Sequence, residues 1–304
     1  MTDITALYSS GKLVLSFELF PPKSEAGMAA LFESLRELVS CEPSFITCTY
    51  GAGGSTRAKT LEVLERVLAE YPQIPVASHL TCVGSTVQEL REYIGNAIAQ
   101  GVSYLVALRG DPPRGETVFT AVEGGLRYGS ELVALVNKEF PELGIVVGGY
   151  PEKHPEAADL AADIDNLKRK VDAGADVIVT QLFYDNEDFF RWRDQCVRGG
   201  ISIPIVPGVL PMTNLAQIQR FCAMCGACVP EDLARRMAVY PDGSEGQFAV
   251  GAYHATRQVE GLVEAGVPGV HFYVLNKARA TAQVCRALTL SQLAVHPPAS
   301  EAAV

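Results

Sequence analysis

Short, continuous apolar runs rich in Val, Ile and Leu alternate along the chain with longer segments whose apolar positions recur every three or four residues. The first pattern marks buried strands and the second amphipathic helices. The strand runs are Leu13–Glu18, Phe45–Thr49, Pro75–Thr81, Tyr104–Arg109, Ile145–Tyr150, Val177–Gln181, Ile203–Pro207 and Val270–Val274, eight in all. One helix lies between most of them, for example Met28–Val39, Ala58–Glu70, Val87–Gln100 and Leu132–Phe140. Crossovers of that length set successive strands parallel. The gap before the last run is longer and holds a helical Pro230–Met237, the turn-rich Tyr240-Pro-Asp-Gly-Ser244 and a helix from Gln247 to Ala265. Eight βα repeats over about 270 residues predict an α/β fold: a single (β/α)8 TIM barrel with an extra helical segment before the last strand. The barrel is expected over residues 1–290, and a tail over 291–304, with Pro297-Pro298 and several alanines, is expected to be disordered.

A doubly wound nucleotide fold is the other arrangement that repeated βα units allow, and its fingerprint can be tested on Gly51-Ala-Gly53-Gly54-Ser-Thr56. Thr56 stands where the third glycine belongs, and no Gly-Lys-Ser/Thr follows, so neither the dinucleotide nor the P-loop signature is present. Gly51–Ser55 reads as a flexible loop after the second strand.

At 304 residues and 48% hydrophobic, the chain can bury a large core without cross-links. A net charge of −10, with Lys168-Arg169-Lys170 as the densest basic patch, argues against nucleic acid or an anionic membrane. No charged n-region and apolar h-region open the chain, and no apolar run approaches the roughly 18 residues of a membrane helix. The expectation is a soluble cytoplasmic protein. Several of its eight cysteines lie inside apolar runs, where a reduced thiol behaves as a small hydrophobe. Cys222-x-x-Cys225-x-x-Cys228 has the spacing of part of an iron–sulfur ligand run, but no fourth cysteine follows before Cys285 and Leu215–Met224 reads as a helix. No metal is expected.

The carboxyl ends of parallel strands line the ligand crevice of such folds. Read in order they deliver Glu18, Thr49, His79, Asp111, Tyr150 with Glu152 and His154, Gln181, and Tyr273 with Asn276. Polar groups collected at one rim are better explained by a site than by packing. Asp111 follows the run Tyr104-Leu-Val-Ala-Leu-Arg-Gly110 and is either a catalytic acid or a plain turn aspartate before Pro112-Pro113. Glu18 interrupts Leu13-Val-Leu-Ser-Phe-Glu-Leu-Phe20, and an unpaired buried carboxylate costs several kcal/mol. It is therefore protonated, and placed to act as a general acid, or paired in a barrel salt bridge. His79 can be a ligand, a hydrogen-bond donor or a filler. No His-x-His pair or carboxylate cluster ends a strand, against a metal-dependent hydrolase, and no lysine does, against a Schiff-base aldolase. Over Ala157–Lys170, Leu160, Ile164, Leu167 and Val171 form a buried stripe, and Asp163, Asn166 and Lys170 share the adjoining face, where they could hold a ribose and a phosphate. These residues describe an enzyme with two carboxylates and a large ligand, and leave its reaction open.

Laid out in order, the motifs Phe17-Glu-Leu-Phe-Pro-Pro22, Thr49-Tyr-Gly51, His79-Leu-Thr-Cys82, Leu108-Arg-Gly-Asp111, Tyr150-Pro-Glu-x-His-Pro-Glu156, Asn166-Leu-Lys-Arg-Lys-Val-Asp-Ala-Gly174, Thr180-Gln181, Pro207-Gly-Val-Leu-Pro211 and His271-Phe-Tyr-x-Leu-Asn276 resemble methylenetetrahydrofolate reductase of the bacterial type. The resemblance implies a (β/α)8 flavoprotein that reduces 5,10-methylenetetrahydrofolate to 5-methyltetrahydrofolate with NADH or NADPH, supplying the methyl group for methionine. It implies FAD contacts at Thr49, His79, Leu108, Arg109, Gly110, Asp111, Tyr128, Tyr150, His154, Asp163, Asn166 and Lys170. Glu18 falls on the family's general acid and Asp111 on a second catalytic carboxylate. Gln181, Gln217 and Tyr273 fall on the folate side, and Phe221 on an aromatic that adjusts to nicotinamide and folate. Lys277 stands where the best-known members have arginine; it keeps the charge and loses the planar fork. The match covers the barrel, without the adenosylmethionine-binding regulatory domain of eukaryotic members. The implied partners are the folate and NAD(P)H, with a homo-oligomer left open. A folate-dependent methyltransferase on a pterin-binding barrel, which binds no flavin, is the alternative enzyme class, and a homologue kept as a binding subunit is the non-enzymatic one.

Overall fold

The computed structural model describes residues 3–50, 57–112, 115–116 and 118–295, with side chains through residue 289. The loop expected over Gly51–Ser55 lies outside the described residues. β1 (Val14–Leu19), β2 (Phe45–Cys48), β3 (Val76–Thr81), β4 (Tyr104–Leu108), β5 (Gly144–Gly149) and β6 (Val177–Thr180) pair in sequence order, all parallel. Between them run α2 (Glu25–Val39), α3 (Arg57–Glu70), α4 (Val87–Ala99), α5 (Gly129–Glu139) and α6 (Leu160–Asp172). Their starts follow from local chemistry: Ser24 and Asp159 cap free backbone N–H groups, and Thr86 with Glu89 forms a reciprocal capping box. α7 (Asn186–Arg198) turns Phe189, Trp192 and Cys196 into the core. A Cβ on Gly149 would stand 2.6 Å from Trp192 Cη2, so only glycine lets the indole pack against β5.

The seventh strand differs from the sequence expectation of one run over Ile203–Pro207. It forms two short pieces, β7 (Ile205–Val206) and β8 (Gly208–Val209), on either side of Pro207. Proline has no N–H to give to a ladder. The break also lets one strand serve two neighbours: β7 pairs with β6, and β8 pairs with β9 (Gly269–Tyr273). β9 in turn pairs with β1, so the sheet closes into a barrel across Pro207, whose carbonyl accepts the His271 N–H at 3.0 Å. The Gly208 N–H donates to Thr180 Oγ1 at 2.9 Å, and the Tyr273 hydroxyl to the Thr180 carbonyl at 2.6 Å.

Inside the barrel, Val14, Phe45, Ala77, Tyr104, Val106, Val146, Val177, Val179 and Val206 form an apolar core. α1 (Ile4–Ser9), which the sequence pattern does not reveal, stops its lower end with Ile4, Leu7 and Tyr8. Gly144 makes room for it, since a Cβ there would lie 2.6 Å from Ile4 Cγ2. The alternate residues, among them Phe17, Leu19, Ile46, Leu80, Leu105 and Phe272, face outward beneath the helices. The long last crossover holds α8 (Leu215–Cys225), α9 (Glu231–Ala238) and α10 (Glu245–Glu264), as the extra helical segment requires. α11 (Ala278–Val295) follows β9 and runs past Ser291, where the tail was expected to begin; residues 296–304 lie outside the described residues. Among the described residues no helix is long and apolar enough to cross a membrane.

Closure at Gly208 is the tightest point of the barrel, for a Cβ there would overlap the Thr180 carbonyl and stand 2.7 Å from Tyr273 Cε2. Gly208→Ala is expected to cost about 2–3 kcal/mol of stability, the usual scale of overpacking, measured by urea unfolding. A loss within about 0.5 kcal/mol, the range of ordinary surface changes, would mean that the seam is loose.

Candidate active site

Strand periodicity brings Ser16, Glu18, Thr47, His79, His271 and Tyr273 to the inward face, because register pairs Glu18 with Thr47 and Tyr273, and Ser16 with His271. Glu18 is 7% exposed. Its Oε2 lies 3.5 Å from His79 Nε2 and 3.9 Å from His271 Nε2. The carboxyl is therefore buried and faced by two imidazoles. Burial pushes the His79 imidazole below its usual range, although Glu18 works the other way. Burial likewise drives the Tyr273 hydroxyl well up, with the Glu18 charge adding to it.

A second group of side chains lies across the ends of β4 and β5. Gly110 takes a φ of +86°, turning the chain after β4 where a Cβ would stand 2.8 Å from Val83 Cγ2. Arg109 then reaches Glu156 with both guanidinium nitrogens at 2.6 Å and lies 5.1 Å from the Phe119 ring centroid. Those bonds raise Arg109 further and hold Glu156 below the usual carboxylate range. Asp111 is exposed beside them and, after burial itself, is the main influence pushing Tyr150 up. Tyr150 packs edge-on against His154 at 4.6 Å, and the His154 N–H donates to Asp163 Oδ2 at 3.0 Å. On the same helix as Asp163, Lys170 turns its amine inward to the Gly148 carbonyl at 2.5 Å. Burial pushes this amine down to about 8 even with Asp163 nearby. Asn166 shares the helix but is exposed, its amide oxygen accepting from Arg169 at 3.3 Å.

The start of α5 completes this corner. A Cβ on Gly129 would lie 3.3 Å from the Arg109 backbone nitrogen and 3.9 Å from Lys170 Cδ, so the helix N-terminus, the end of β4 and the lysine adjoin. Tyr128 stands there 62% exposed. Of the other candidates, Thr49 is half-buried at the end of β2 and its carbonyl accepts the Thr60 hydroxyl, while Leu108 is half-buried at the end of β4. Gln181 closes its Oε1 onto the Leu182 N–H at 2.9 Å. Gln217 and Phe221 lie one turn apart on α8; Phe221 packs into the cluster that also holds Leu182, Tyr184 and Tyr273. Lys277 is exposed where β9 passes into α11, and Asn276 clamps the Phe20 backbone with two bonds of 2.8 Å.

At the same rim, one Glu152 oxygen accepts the Cys228 N–H at 2.8 Å, and the other is buried without a hydrogen-bond partner. Burial raises its proton affinity. Cys222 is buried, Cys225 half-buried and Cys228 exposed past the αL glycine Gly226 that ends α8. Among the described residues no group of three or more His, Cys, Asp or Glu is placed to hold a metal ion. Ser16 and His271 are site residues that the sequence reading did not single out. The signal was there in the two-residue period, which puts Ser16 on the face of Glu18 and His271 on the face of Tyr273.

This geometry stands beside clear relatives. Residues 3–289 match the family model described as methylenetetrahydrofolate reductase. The chain belongs to the methylenetetrahydrofolate reductase family. It is 38% identical over 278 residues to the 5,10-methylenetetrahydrofolate reductase of Escherichia coli K12, covering 91% of each chain. It is also 38% identical over 283 residues to methylenetetrahydrofolate reductase (NADH) 1 of Arabidopsis thaliana, of which it spans about half, 48%. Among solved structures, a Clostridium thermocellum protein that binds two copies of 5-methyl-5,6,7,8-tetrahydrofolic acid superposes with a TM-score of 0.61 at 14% identity, covering 94% of this chain and 98% of that one, a likeness of fold. Membership makes this barrel an oxidoreductase of folate one-carbon metabolism.

Lys170 offers a direct test of the corner. A lysine whose folded-state pKa lies below its unfolded one costs stability in full below about pH 8, and the cost fades as pH rises towards the unfolded value near 10.4. Lys170→Met is expected to stabilise the ligand-free protein at pH 7 by about 2 kcal/mol, the lost carbonyl contact offsetting part of the gain. Urea midpoints of the two proteins should converge between pH 8 and 10. A difference independent of pH would mean that the amine is solvated.

Proposed function

We propose that the chain reduces 5,10-methylenetetrahydrofolate to 5-methyltetrahydrofolate with NADH or NADPH, using bound FAD in two half-reactions at one site. The single observation that carries this reading is Glu18, a carboxyl buried at the catalytic rim against two imidazoles in a chain of this family. The residues present suit a flavin dinucleotide. The inward-turned amine of the half-buried Lys170 and the N-terminus of α5 adjoin at one corner, the combination that receives a diphosphate. Tyr128, Tyr150 and His154 offer ring surfaces around it. Thr49, His79, Leu108 to Asp111, Tyr128, Tyr150, His154, Asp163, Asn166 and Lys170 would hold the cofactor. When bound, FAD would supply the hydride chemistry, taking a hydride from the nicotinamide and giving it to the folate.

The chain's own part is orientation and proton transfer. Glu18 donates a proton to N10 of the folate; the bond from N10 to the bridging carbon breaks, its electron pair stays on nitrogen, and a cationic N5 iminium forms. That cation accepts hydride far more readily than the closed ring. The carboxylate left at Glu18 faces the two imidazoles. Asp111, an anion at the mouth of the same rim, favours the iminium by charge. Gln181, Gln217, Phe221 and Tyr273 would orient the folate, Phe221 also meeting the nicotinamide, and Lys277 would attract its acidic tail as a point charge rather than through a planar fork.

Glu18→Gln keeps the shape and removes the proton donor. In anaerobic stopped-flow absorbance, flavin reduction by NADH should survive, while reoxidation by methylenetetrahydrofolate should fall by about 10²–10⁴-fold. Reoxidation within a few-fold of wild type would make Glu18 a structural residue. Asp111→Asn is expected to slow the folate half-reaction more than the nicotinamide half-reaction. An equal loss in both halves would assign Asp111 to cofactor binding alone.

A further inference from the structure

α8 stands apart from the helices that back the barrel wall. Its Leu215, Ile218 and Cys222 share one apolar cluster with Leu182 and Tyr184 after β6 and with Leu275 after β9, so it lies over the carboxyl-end rim. Gln217 and Phe221 ride on it. Apolar contact alone lets such a helix slide, and its two ends are tied by polar groups instead. At the start, the Leu215 N–H donates to Gln247 Oε1 of α10 at 3.1 Å. Past the other end, the Cys228 N–H donates to Glu152 Oε1 at 2.8 Å, and the Cys228 thiol faces the same carboxyl. Between them, a Cβ on the left-handed Gly226 would lie 3.4 Å from Pro155 Cγ and 3.5 Å from the Lys153 carbonyl oxygen. The turn that ends α8 therefore sits against the loop that follows β5.

That loop is stiff in its own right. Lys153 takes a left-handed φ of +76°, rare for a residue with a side chain. Its N–H donates to the Tyr150 carbonyl at 3.1 Å, and its amine to the carbonyls of His154 at 3.2 Å and Ala157 at 2.7 Å. Tyr150 and His154, the rings at the cofactor corner, stand on this frame. Glu152 joins the frame to α8 at a cost, since its second oxygen is buried with no hydrogen-bond partner. A neutral acceptor could take one N–H without that penalty. The reach of a glutamate from this loop makes sense if the place to which it brings α8 is what matters.

We propose that Glu152 is a positioning residue for the folate and nicotinamide site. It fixes the end of α8 to the loop bearing Tyr150 and His154, and so sets where Gln217 and Phe221 stand relative to the cofactor. The inference rests on the reading of those four residues given above. With the tie cut, α8 keeps its apolar face and its contact with Gln247, so the helix survives while its C-terminal half, where Phe221 lies, is free to shift. Both substrates then bind more weakly, and the chemistry at Glu18 and the flavin goes on at its usual rate.

Three variants of the full chain, loaded with FAD, test this. Glu152→Ala removes the acceptor, Glu152→Gln keeps an oxygen for the Cys228 N–H, and Cys228→Ala keeps that N–H and removes only the thiol. In stopped-flow reoxidation by methylenetetrahydrofolate, the half-saturating folate concentration of Glu152→Ala is expected to rise about tenfold, with a limiting rate within about twofold of wild type. Reduction by NADH should show the same split. Flavin content should hold, because the loop keeps its own bonds. Glu152→Gln should recover most of the affinity, and Cys228→Ala should behave as wild type. Hydrogen exchange read by mass spectrometry over residues 222–229 should quicken about tenfold in Glu152→Ala and stay slow in the other two. Unchanged half-saturation in a folded Glu152→Ala, a fall in the limiting rate alone, or a Glu152→Gln no better than Ala would each overturn the proposal. If Glu152→Ala does not fold, Glu152→Gln and the wild-type exchange decide, and a Cys228 amide that exchanges as freely as unfolded chain would overturn it. A wild-type protein with neither flavin nor folate-dependent reoxidation would sink the functional reading and this role with it; a working enzyme indifferent to Glu152→Ala would sink this role alone.

Discussion

Glu18 sits in the wall of a closed parallel sheet, and a carboxyl removed from water there persists only if other groups are arranged around it. Much of the chain supplies that arrangement. β3 and β9 each present an imidazole to the same carboxylate oxygen, and the second imidazole is fixed by Ser16 from the strand that bears Glu18. β9 can do so only because the sheet closes, with Pro207 dividing one strand into a half that pairs back to β6 and a half that pairs on to β9. Were the sheet open at that seam, His271 and Tyr273 would lie on an edge and face water.

Closure also separates two kinds of interior. Below the Ser16–His271 layer the barrel holds valines, Phe45 and Tyr104, stoppered by α1. Above it, nearly every strand end carries a polar group, and the two sides of the rim differ in character. The Glu18 side is buried and suits proton transfer; the side formed by β4, β5, α5 and α6 carries Arg109, Asp111 and Lys170 around aromatic rings and suits a large anionic ligand. Tyr150, which helps to push the Tyr273 hydroxyl up, links the two.

The repeat of strands and helices was legible because buried parallel strands and amphipathic helices carry different periods, and each βα unit here is long enough to show both. The split at Pro207 was not, since a run such as Ile203–Pro207 reads as one strand until its neighbours on both sides are known. α1 has only six residues, too few to show a helical period. At the site, Glu18 and Asp111 stood out as carboxylates ending apolar runs. Whether Glu18 would be free or paired could not be read, because its partners come from residues 79 and 271, and only strand register brings them to one atom. The helical period shows Lys170 only as one of three residues on a shared face; its inward turn depends on β5 offering the Gly148 carbonyl, which no helical pattern contains.

Absorbance of the purified protein under anaerobic conditions tests the assignment of this rim most directly. The expected spectrum is that of bound oxidised FAD, bleached by NADH or NADPH and restored by methylenetetrahydrofolate. A folded, colourless protein that takes up no FAD on reconstitution would contradict a flavin at this rim and favour folate chemistry without hydride transfer.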